Sequence, residues 1–242
     1  IGTDAFQEAP VSAIMGAVAK HVFLVTDAEK LEETMRSAFE LARTGRPGPV
    51  VVDIPKDIQN WEGKFQGQGT LPLHGYRRRL AKVEDNHLSD DACERFFTLL
   101  SESERPLIYA GGGVINANAT KAMRRLANEY GIPVTTTLMA LGASDTTHPL
   151  ALHMLGMHGV ASANYAVEDC DFLIAIGARF DDRVAGNPGQ FAPRAKNIAH
   201  FDVDFAEIGK VKRVNWHHVG MLERDLMDML AYGKRIGFAK VF

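Results

Sequence analysis

The 242-residue sequence has no long hydrophobic run, little cysteine and no strong excess of charge of either sign. No stretch approaches the ~18 consecutive apolar residues that a membrane-spanning helix needs, so no membrane partner is predicted. With 27 basic and 30 acidic residues, the net charge is -3, which gives no electrostatic reason to expect nucleic acid as a partner. Cys93 and Cys170 are far apart and lack metal-type spacing, which favours a reducing compartment and argues against a reactive thiol.

Self-contained catalytic motifs are also absent from the sequence. It contains no paired nucleophile and base, no P-loop and no H-E-x-x-H motif. His153 and His158 are five residues apart and do not share a helix face, so we predict no metal site. The adjacent His217 and His218 are interpreted as a surface pair.

Strands and helices alternate from residue 89 onward. The hydrophobic periodicity predicts helices at 89–101, 117–130, 160–168 and 221–232, and strands at 106–110, 132–138, 171–177 and 197–204, with a long loop over 140–159. This alternation predicts an α/β fold with a parallel sheet that is flanked by helices on both faces.

The first part of the chain has a simpler pattern. We predict a strand at 50–55 and a helix at 27–44, with Asp27 as its N-cap. The apolar face of that helix consists of Leu31, Met35, Ala38, Phe39 and Ala42. The stretch 57–86 has no clear period, and we interpret it as a linker that crosses a surface.

Residues that suit a nucleotide follow four of the predicted strands. Because ligands bind outside the carboxyl ends of parallel strands, these residues are expected to share one edge of the sheet. They are Gly111, Gly112 and Gly113, then Leu138 and Met139, then Gly177, Ala178 and Arg179, and finally Asp202 and Asp204. Bare backbone and an arginine suit phosphate, and carboxylates can accept ribose hydroxyls.

Each of these signals has a plain structural alternative. The glycines can form an ordinary tight turn, and the two aspartates can close a strand. Asn116 stands where a G-x-G-x-x-G motif has its third glycine, and Asp202 lies about ninety residues further on, instead of the usual ~20. An ordinary nicotinamide-dependent dehydrogenase is therefore disfavoured.

Four charges surround one aromatic residue in the segment GARFDDRVAGN, at 177–187. Asp181 and Asp182 are consecutive and cannot point the same way in an extended chain, so one can orient an arginine while the other faces a ligand. A solvated loop is the alternative that needs no ligand.

Several segments together resemble the catalytic large subunit of acetohydroxyacid synthase, also called acetolactate synthase. They are IGTDAFQE, GRPGPVVVDIPKDIQ, GGGVINA, TTTLMALGA, LGMHG, ANYAVEDCDFLIAIGARFDDRVAGN and HFDVDFAEIGK. The resemblance runs from residue 1 to about residue 211, in the order and spacing of the family. GARFDDRVAGN is its most specific part, and Ala185 departs from the threonine that the family usually has there.

The resemblance implies a domain organisation. Residues 1–60 would be the C-terminal part of the domain that binds the thiamine pyrimidine, 61–80 a linker, and 81–242 a Rossmann-like central FAD-binding domain. The family's activating glutamate is expected upstream of residue 1, and its Gly-Asp-Gly signature is not in the sequence. We therefore expect an internal fragment of a longer chain that carries no catalytic residue and is inactive alone.

The resemblance also implies an activity for the longer parent protein. The family joins pyruvate to a second pyruvate or to 2-oxobutanoate with loss of carbon dioxide, giving 2-acetolactate or 2-aceto-2-hydroxybutanoate for branched-chain amino-acid biosynthesis. It uses thiamine diphosphate, Mg²⁺ and FAD. The expected partners are further large subunits in a homodimer or homotetramer, a regulatory small subunit and small 2-oxo acids. The expected location is the bacterial cytoplasm, or a plastid or mitochondrion in a eukaryote.

Site residues carry over by matching positions of the motifs. FAD contacts are implied for Arg46, Gly111, Gly112, Gly113, Thr137, Leu138, Met139, Leu155, Gly156, Met157, His158, Gly159, Gly177, Arg179, Asp181, Arg183, Val184, Asp202 and Val203. Positions along the substrate channel are implied for Phe6, Gln7, Lys56, Met157, Asp182 and Arg183. In this interpretation Arg183 meets a substrate carboxylate and Asp182 holds Arg183 in place.

Two alternatives stay open at this point. Glyoxylate carboligase and pyruvate oxidase are other thiamine enzymes that carry FAD, although the RFDDRV segment favours acetohydroxyacid synthase. The second alternative is a non-catalytic FAD- or nucleotide-binding domain.

Overall fold

The computed structural model describes residues 2, 5, 6 and 8–242. The chain forms two compact units, Ile1–Ala81 and Lys82–Phe242. Among the described residues, no helix is both long enough and apolar enough to cross a membrane.

The first unit is built on a two-stranded parallel sheet. Its elements are α1 (Val11–Gly16), β1 (His21–Leu24), α2 (Leu31–Arg43), β2 (Val50–Asp53), α3 (Lys56–Gln59) and the start of α4 (His74–Glu84). β1 pairs with β2 from His21 opposite Val50 to Leu24 opposite Asp53, and α2 packs against both strands. The β1 strand is absent from the sequence-based prediction.

The predicted helix at 27–44 is confirmed, but its predicted apolar face is only partly buried: Ala38 is buried, whereas Met35 and Phe39 are exposed. The α-helix starts at Leu31, and Asp27 instead caps a preceding 3₁₀ turn by accepting from the Glu29 N–H. Phe39 is 64% exposed, whereas Thr34 and Ser37 are buried. Small hydroxyl residues can lie there because each donates to a carbonyl four residues earlier in the chain.

Part of the predicted linker is helical. α4 occupies residues within 57–86, where the sequence shows no clear period. Polar contacts hold this helix: Arg77 donates twice to the Glu40 carboxylate, at 2.8 and 2.7 Å, and the hydrogen bonds from Arg77 hold the Glu40 pKa below its ordinary value. Tyr76 donates to the Thr44 carbonyl at 2.8 Å. Because polar contacts hold α4, the helix could not be predicted from a periodic pattern of apolar residues.

The second unit contains a six-stranded sheet that is parallel throughout. Its elements are α5 (Asp90–Glu102), β3 (Pro106–Ala110), α6 (Gly112–Asn116), α7 (Thr120–Tyr130), β4 (Val134–Thr136), β5 (Ala151–Met154), α8 (Ala161–Asp169), β6 (Phe172–Ile176), α9 (Asp182–Ala185), β7 (Asn197–Asp202), β8 (Trp216–Val219) and α10 (Leu222–Arg235). The strand order is β5-β4-β3-β6-β7-β8. This confirms the predicted α/β fold with a parallel sheet flanked by helices.

Two hydrophobic clusters cover the sheet. All five residues of β3 and of β6 are buried, as expected for central parallel strands with covered faces. The larger cluster contains Phe96, which lies within 6 Å (ring centroids 5.4–5.9 Å) of Phe97, Phe172, Phe201 and Trp216. The second cluster includes Leu107, Tyr109, Phe180 and Phe191.

Some predicted boundaries in this unit are wrong. The predicted helix at 117–130 corresponds to α7, which starts at Thr120. A separate short helix, α6, is absent from the prediction, and Asn118, whose φ is +55°, lies between the two helices. The predicted loop at 140–159 contains the edge strand β5, where His153 has a φ of +64° and the pairing register shifts. β8 is also absent from the prediction, because its two histidines break the apolar alternation.

The predicted surface pair of histidines is half wrong. His217 is exposed, but His218 is only 7% exposed. Its Nε2 atom lies 3.5 Å from the carboxylate of Asp225, which is fully buried at the start of α10. Alternation along β8 places consecutive residues on opposite faces, so adjacent histidines have different environments.

A buried carboxylate joins β6 to the segment that precedes β3. Asp171 accepts from the Ser103 hydroxyl, from the Glu104 N–H at 2.8 Å and from the Arg105 N–H at 2.9 Å. Burial alone would raise the Asp171 pKa, but these hydrogen bonds outweigh it and hold the pKa below its ordinary value.

Candidate functional site

The sheet order brings the predicted strand-end residues to one edge. β4, β3, β6 and β7 are neighbours and all parallel, so the residues that follow them lie along the same carboxyl edge. Met139 follows β4, Gly112 follows β3, Arg179 follows β6, and Asp202 ends β7. The structure therefore assembles along one edge the residues that connectivity predicts.

The glycines after β3 lie directly against the backbone after β6. The Gly113 N–H donates to the Gly177 carbonyl at 3.1 Å. A β-carbon at Gly111 would lie 2.1 Å from the Gly177 oxygen, and one at Gly113 would lie 2.7 Å from the Gly177 Cα. Loop-to-loop packing thus explains why Gly111 and Gly113 have no side chain. At Gly112 the nearest atom belongs to a side chain instead of the backbone, because a β-carbon there would lie 2.9 Å from the Cβ of Met139.

The segment after β4 presents apolar side chains and one unsatisfied hydroxyl. Thr137 is held to β3 by its N–H, which donates to the Ala110 carbonyl at 2.9 Å. Its buried Oγ1 atom has no hydrogen-bond partner among the described residues. Leu138 is 66% exposed and Met139 is 73% exposed. Exposed apolar side chains beside an unpaired hydroxyl fit a ligand that has both a ring system and polar atoms.

The loop of residues 155–159 lies against the charged segment after β6. Leu155 is buried, and its N–H donates to the Thr136 carbonyl at 3.2 Å. The Met157 N–H donates to the Arg183 carbonyl at 3.0 Å, while the Met157 side chain is 72% exposed. His158 is exposed as well, and Gly159 closes the loop by donating to the Gly156 carbonyl at 2.9 Å.

A buried aromatic residue anchors the charged segment. Phe180 has a φ of +58°, which is rare for a bulky residue and costs about 1 kcal/mol or more. Its ring lies edge-on to Tyr109 and to His200, with centroids 5.3 Å away in both cases. The aromatic contacts hold Phe180 inward, and the exposed Arg179 beside it points away from the core.

Within the described part of the chain, the side chain of Asp181 hydrogen-bonds with Arg183, and the side chain of Asp182 does not. The Asp181 carboxylate caps α9 by accepting from the Arg183 N–H at 3.1 Å. It also lies 4.0 Å from the Arg179 guanidinium. The side chains of Asp182 and Arg183 are exposed, and Val184 packs against the second hydrophobic cluster.

β7 ends in a buried carboxylate at the carboxyl edge of the sheet. Asp202 is 7% exposed, and one of its oxygens accepts from the Asp204 N–H at 2.9 Å. Asp204 caps the turn that follows by accepting from the Ala206 N–H at 3.0 Å. Val203 is half-buried between them.

Four predicted site residues belong to the first unit, and three of them are described by the structure. Arg46 follows α2, Lys56 opens α3, and Phe6 is 93% exposed. Gln7 lies outside the described residues. Their place in a site with the second unit stays a prediction. Within the described residues there is also no group of three or more histidine, cysteine or acidic residues that could hold a metal ion.

His200 is a site neighbour that the sequence interpretation missed. It is fully buried, both of its ring nitrogens lack a hydrogen-bond partner among the described residues, and its Nε2 lies 3.7 Å from Asp202 Oδ2. A signal existed, because residues two apart in a strand share a face, which places His200 beside Asp202. The positive φ of Phe180 has no comparable signal in the sequence.

Comparison with known proteins gives a consistent family. Residues 93–230 match the family model for the central domain of thiamine pyrophosphate enzymes. The chain is 47% identical over 234 residues to a probable acetolactate synthase large subunit of Methanocaldococcus jannaschii, covering 96% of this chain and 38% of that protein. It is 49% identical over 231 residues to the acetolactate synthase large subunit of Corynebacterium glutamicum, covering 96% of this chain and 35% of that protein.

A plant protein shows similar identity. The chloroplastic acetolactate synthase of Arabidopsis thaliana is 48% identical over 230 residues, covering 95% of this chain and 33% of that protein. The chain therefore spans between a third and two fifths of the length of these relatives. The matched family model covers more than half of the chain, including the whole carboxyl edge described above. The chain belongs to the thiamine pyrophosphate enzyme family, and residues 93–230 are a central domain of that family.

Proposed function

We propose that this chain is part of an acetolactate synthase large subunit. The parent enzyme condenses pyruvate with a second pyruvate or with 2-oxobutanoate and releases carbon dioxide. The observation that carries this proposal is the 47–49% identity to acetolactate synthases of an archaeon, a bacterium and a plant, over nearly the whole chain. The activity is proposed for the complete protein, because this chain covers only 33–38% of the length of these relatives.

The carboxyl edge of the second unit is the proposed binding site for FAD. The bare backbone at Gly112 allows close approach, and Arg179 supplies positive charge for the diphosphate. The exposed side chains of Leu138 and Met139 offer an apolar surface for a ring, and the unpaired Thr137 hydroxyl can hydrogen-bond with it. FAD is not consumed in the net reaction, and thiamine diphosphate with Mg²⁺ supplies the carbon-carbon bond chemistry.

The proposed substrate channel adjoins this edge. Met157, Asp182 and Arg183 are all exposed, and the Arg183 carbonyl accepts from the Met157 N–H, which keeps the two loops together. The Arg183 guanidinium is suited to a 2-oxo acid carboxylate. The family resemblance also assigns channel positions to Phe6, Gln7 and Lys56, which belong to the first unit.

The parent's proposed partners are further large subunits, in a homodimer or homotetramer, and a regulatory small subunit. Its proposed location follows its source: the cytoplasm in a bacterium, and a plastid or mitochondrion in a eukaryote.

Flavin titration of the 242-residue chain tests the binding part of the proposal. We expect FAD to bind with quenched fluorescence and a perturbed visible spectrum, and we expect Arg179→Ala to weaken binding about tenfold through loss of a charge-assisted contact. Arg125→Ala, at an exposed arginine of α7, is the matched control and should bind like the wild type. Equal affinity of the Arg179→Ala chain and the wild type would reject the proposed role of Arg179.

Product analysis of the complete protein tests the activity. With thiamine diphosphate, Mg²⁺ and pyruvate we expect acetolactate, whereas tartronate semialdehyde or acetyl phosphate would assign a related thiamine enzyme instead. In the complete enzyme, Arg183→Ala should raise the KM for pyruvate. An unchanged KM would exclude contact between Arg183 and the substrate carboxylate. The 242-residue chain alone should form no acetolactate.

A further inference from the structure

We propose that Asn164 is a positioning residue for the carboxyl-edge site, holding the loop of residues 155–159 against the Arg183 segment. This inference rests on the proposed flavin site and adds a residue that lies outside the site residues described above. Asn164 is the fourth residue of α8, at the end of its first turn, and is half-buried.

The Asn164 amide pairs with both backbone groups of one glycine. The Gly156 N–H donates to Asn164 Oδ1 at 2.8 Å, and Asn164 Nδ2 donates to the Gly156 carbonyl at 3.1 Å. Only an asparagine or glutamine side chain offers a neutral donor and acceptor side by side. The two hydrogen bonds fix the plane of the loop backbone as well as its distance from α8.

Gly156 transmits this constraint to the charged segment. Its φ is +94°, and a β-carbon there would lie 2.9 Å from the Arg183 carbonyl oxygen and 3.2 Å from the Val184 Cα. The next residue, Met157, donates its N–H to that same Arg183 carbonyl at 3.0 Å. The chain of contacts therefore runs from the Asn164 amide through Gly156 to the backbone of Arg183.

The helix that carries Asn164 is a rigid support. Ala163 is fully buried and Val167 is 4% exposed, and both pack in the second hydrophobic cluster with Phe180. The second hydrophobic cluster thus holds both α8, which carries Asn164, and the charged segment, which carries Arg183. Met157 and Arg183 can keep exposed side chains in defined positions because their backbones are held from below.

The test compares three variants of the 242-residue chain. Asn164→Leu keeps the side-chain volume and removes both hydrogen bonds, and Asn164→Asp keeps an acceptor for the Gly156 N–H while losing the donor. Asn128→Leu makes the same chemical change at an exposed position of α7 and serves as the control. Amide hydrogen exchange of residues 155–159 and 181–185 is measured together with FAD affinity and thermal unfolding.

Loss of two hydrogen bonds should weaken FAD binding about tenfold in Asn164→Leu, with a smaller loss in Asn164→Asp. Exchange should rise in both segments of the Asn164 variants and stay unchanged in Asn128→Leu. If Asn164 only stabilised the fold, its replacement would lower the unfolding temperature and raise exchange throughout the second unit. It would not raise exchange selectively in residues 155–159 and 181–185. Wild-type exchange at 181–185 in Asn164→Leu would overturn the inference. If the wild-type chain binds no FAD, the proposed flavin site fails, and the exchange data still decide whether Asn164 couples the two segments.

Discussion

The two units of this chain differ in how far their sheets are buried. In the second unit, two hydrophobic clusters cover a six-stranded sheet whose central strands are completely buried. In the first unit, no residue of the two-stranded sheet is buried, and polar contacts of Lys20, Tyr76 and Arg77 hold the helices. The comparison shows that the described core of the second unit is apolar, whereas hydrogen bonds hold together the described helices of the first unit.

The two tryptophans make this difference measurable. Trp61 lies in the first unit, and Trp216 lies in the second, where it is 3% exposed. With either tryptophan replaced by phenylalanine, fluorescence reports denaturant unfolding of one unit at a time. We expect the Trp61 signal to change at lower denaturant concentration than the Trp216 signal.

The largest effect is expected for Phe96→Ala. Phe96 is fully buried in contact with four other aromatic rings, so truncation should lower the free energy of unfolding of the second unit by about 4 kcal/mol. The Trp216 transition should shift, and the Trp61 transition should not. Phe39→Ala, at a 64% exposed position of α2, is the matched change in the first unit and should have little effect.

Gly233→Ala should destabilise the second unit by about 2 kcal/mol, although the same change normally favours a helix. A β-carbon at Gly233 would lie 2.1 Å from the Tyr130 hydroxyl and 2.6 Å from Phe97 Cζ. Gly75→Ala in α4 is the contrasting variant, because the nearest atom would be 3.7 Å away and a small stabilisation is expected. Chemical denaturation that shows a gain for Gly233→Ala would contradict the packing argument.

Lys20→Met tests the polar contacts of the first unit. The Lys20 ammonium donates to the Leu41 carbonyl at 2.5 Å and to the Thr44 carbonyl at 2.7 Å, at the end of α2. Methionine keeps the length but removes both donations, and only the Thr44 carbonyl keeps another donor, the Tyr76 hydroxyl, so the Trp61 transition should lose about 1.5 kcal/mol. Lys30→Met, at an exposed lysine beside Glu33, should change it much less. An equal shift in both variants would show that the capping geometry is unimportant.

The smallest predicted effect is the pH dependence from Asp171. Because its pKa is lowered on folding, Asp171 stabilises the second unit above its ordinary pKa, and this contribution is lost as the pH falls through the lower folded value. We expect Asp171→Asn to remove about 1 kcal/mol at neutral pH and to flatten the loss of stability as the pH falls below the ordinary carboxyl pKa range. Asp57→Asn in α3 of the first unit serves as the control. An unchanged acid limb of the Trp216 transition would contradict this assignment.

The sequence predicts the central strands and the long helices of the second unit best. β3 and β6 follow from PLIYA and FLIAI, since continuous apolar runs between turn residues indicate buried parallel strands. The edge strands β5 and β8 are not predicted, because edges carry polar residues and bulges that hide the alternation. In the first unit, Ala38 of the predicted apolar face is buried, but burial of Thr34 and Ser37 is not predicted, because it depends on their hydroxyls donating to carbonyls four residues earlier.

The candidate site divides in the same way. Its location at the carboxyl edge follows from strand connectivity alone, and Gly112, Met139, Arg179 and Asp202 are found there. The connections between its loops, such as Phe180 below Tyr109 or Asp181 at the Arg183 N–H, depend on tertiary geometry. Periodicity in a single sequence holds no information on contacts of that kind.

The backbone contact between Gly113 and Gly177 limits which positions of the carboxyl edge can accept substitutions. Any larger residue at either position would push the two loops apart and move Arg179 together with the start of α6. Leu138, Met139 and Met157 have no such restriction, because most of each side chain is in solvent. Differences in ligand preference among related proteins should therefore accumulate at these three positions, on a backbone platform that stays the same.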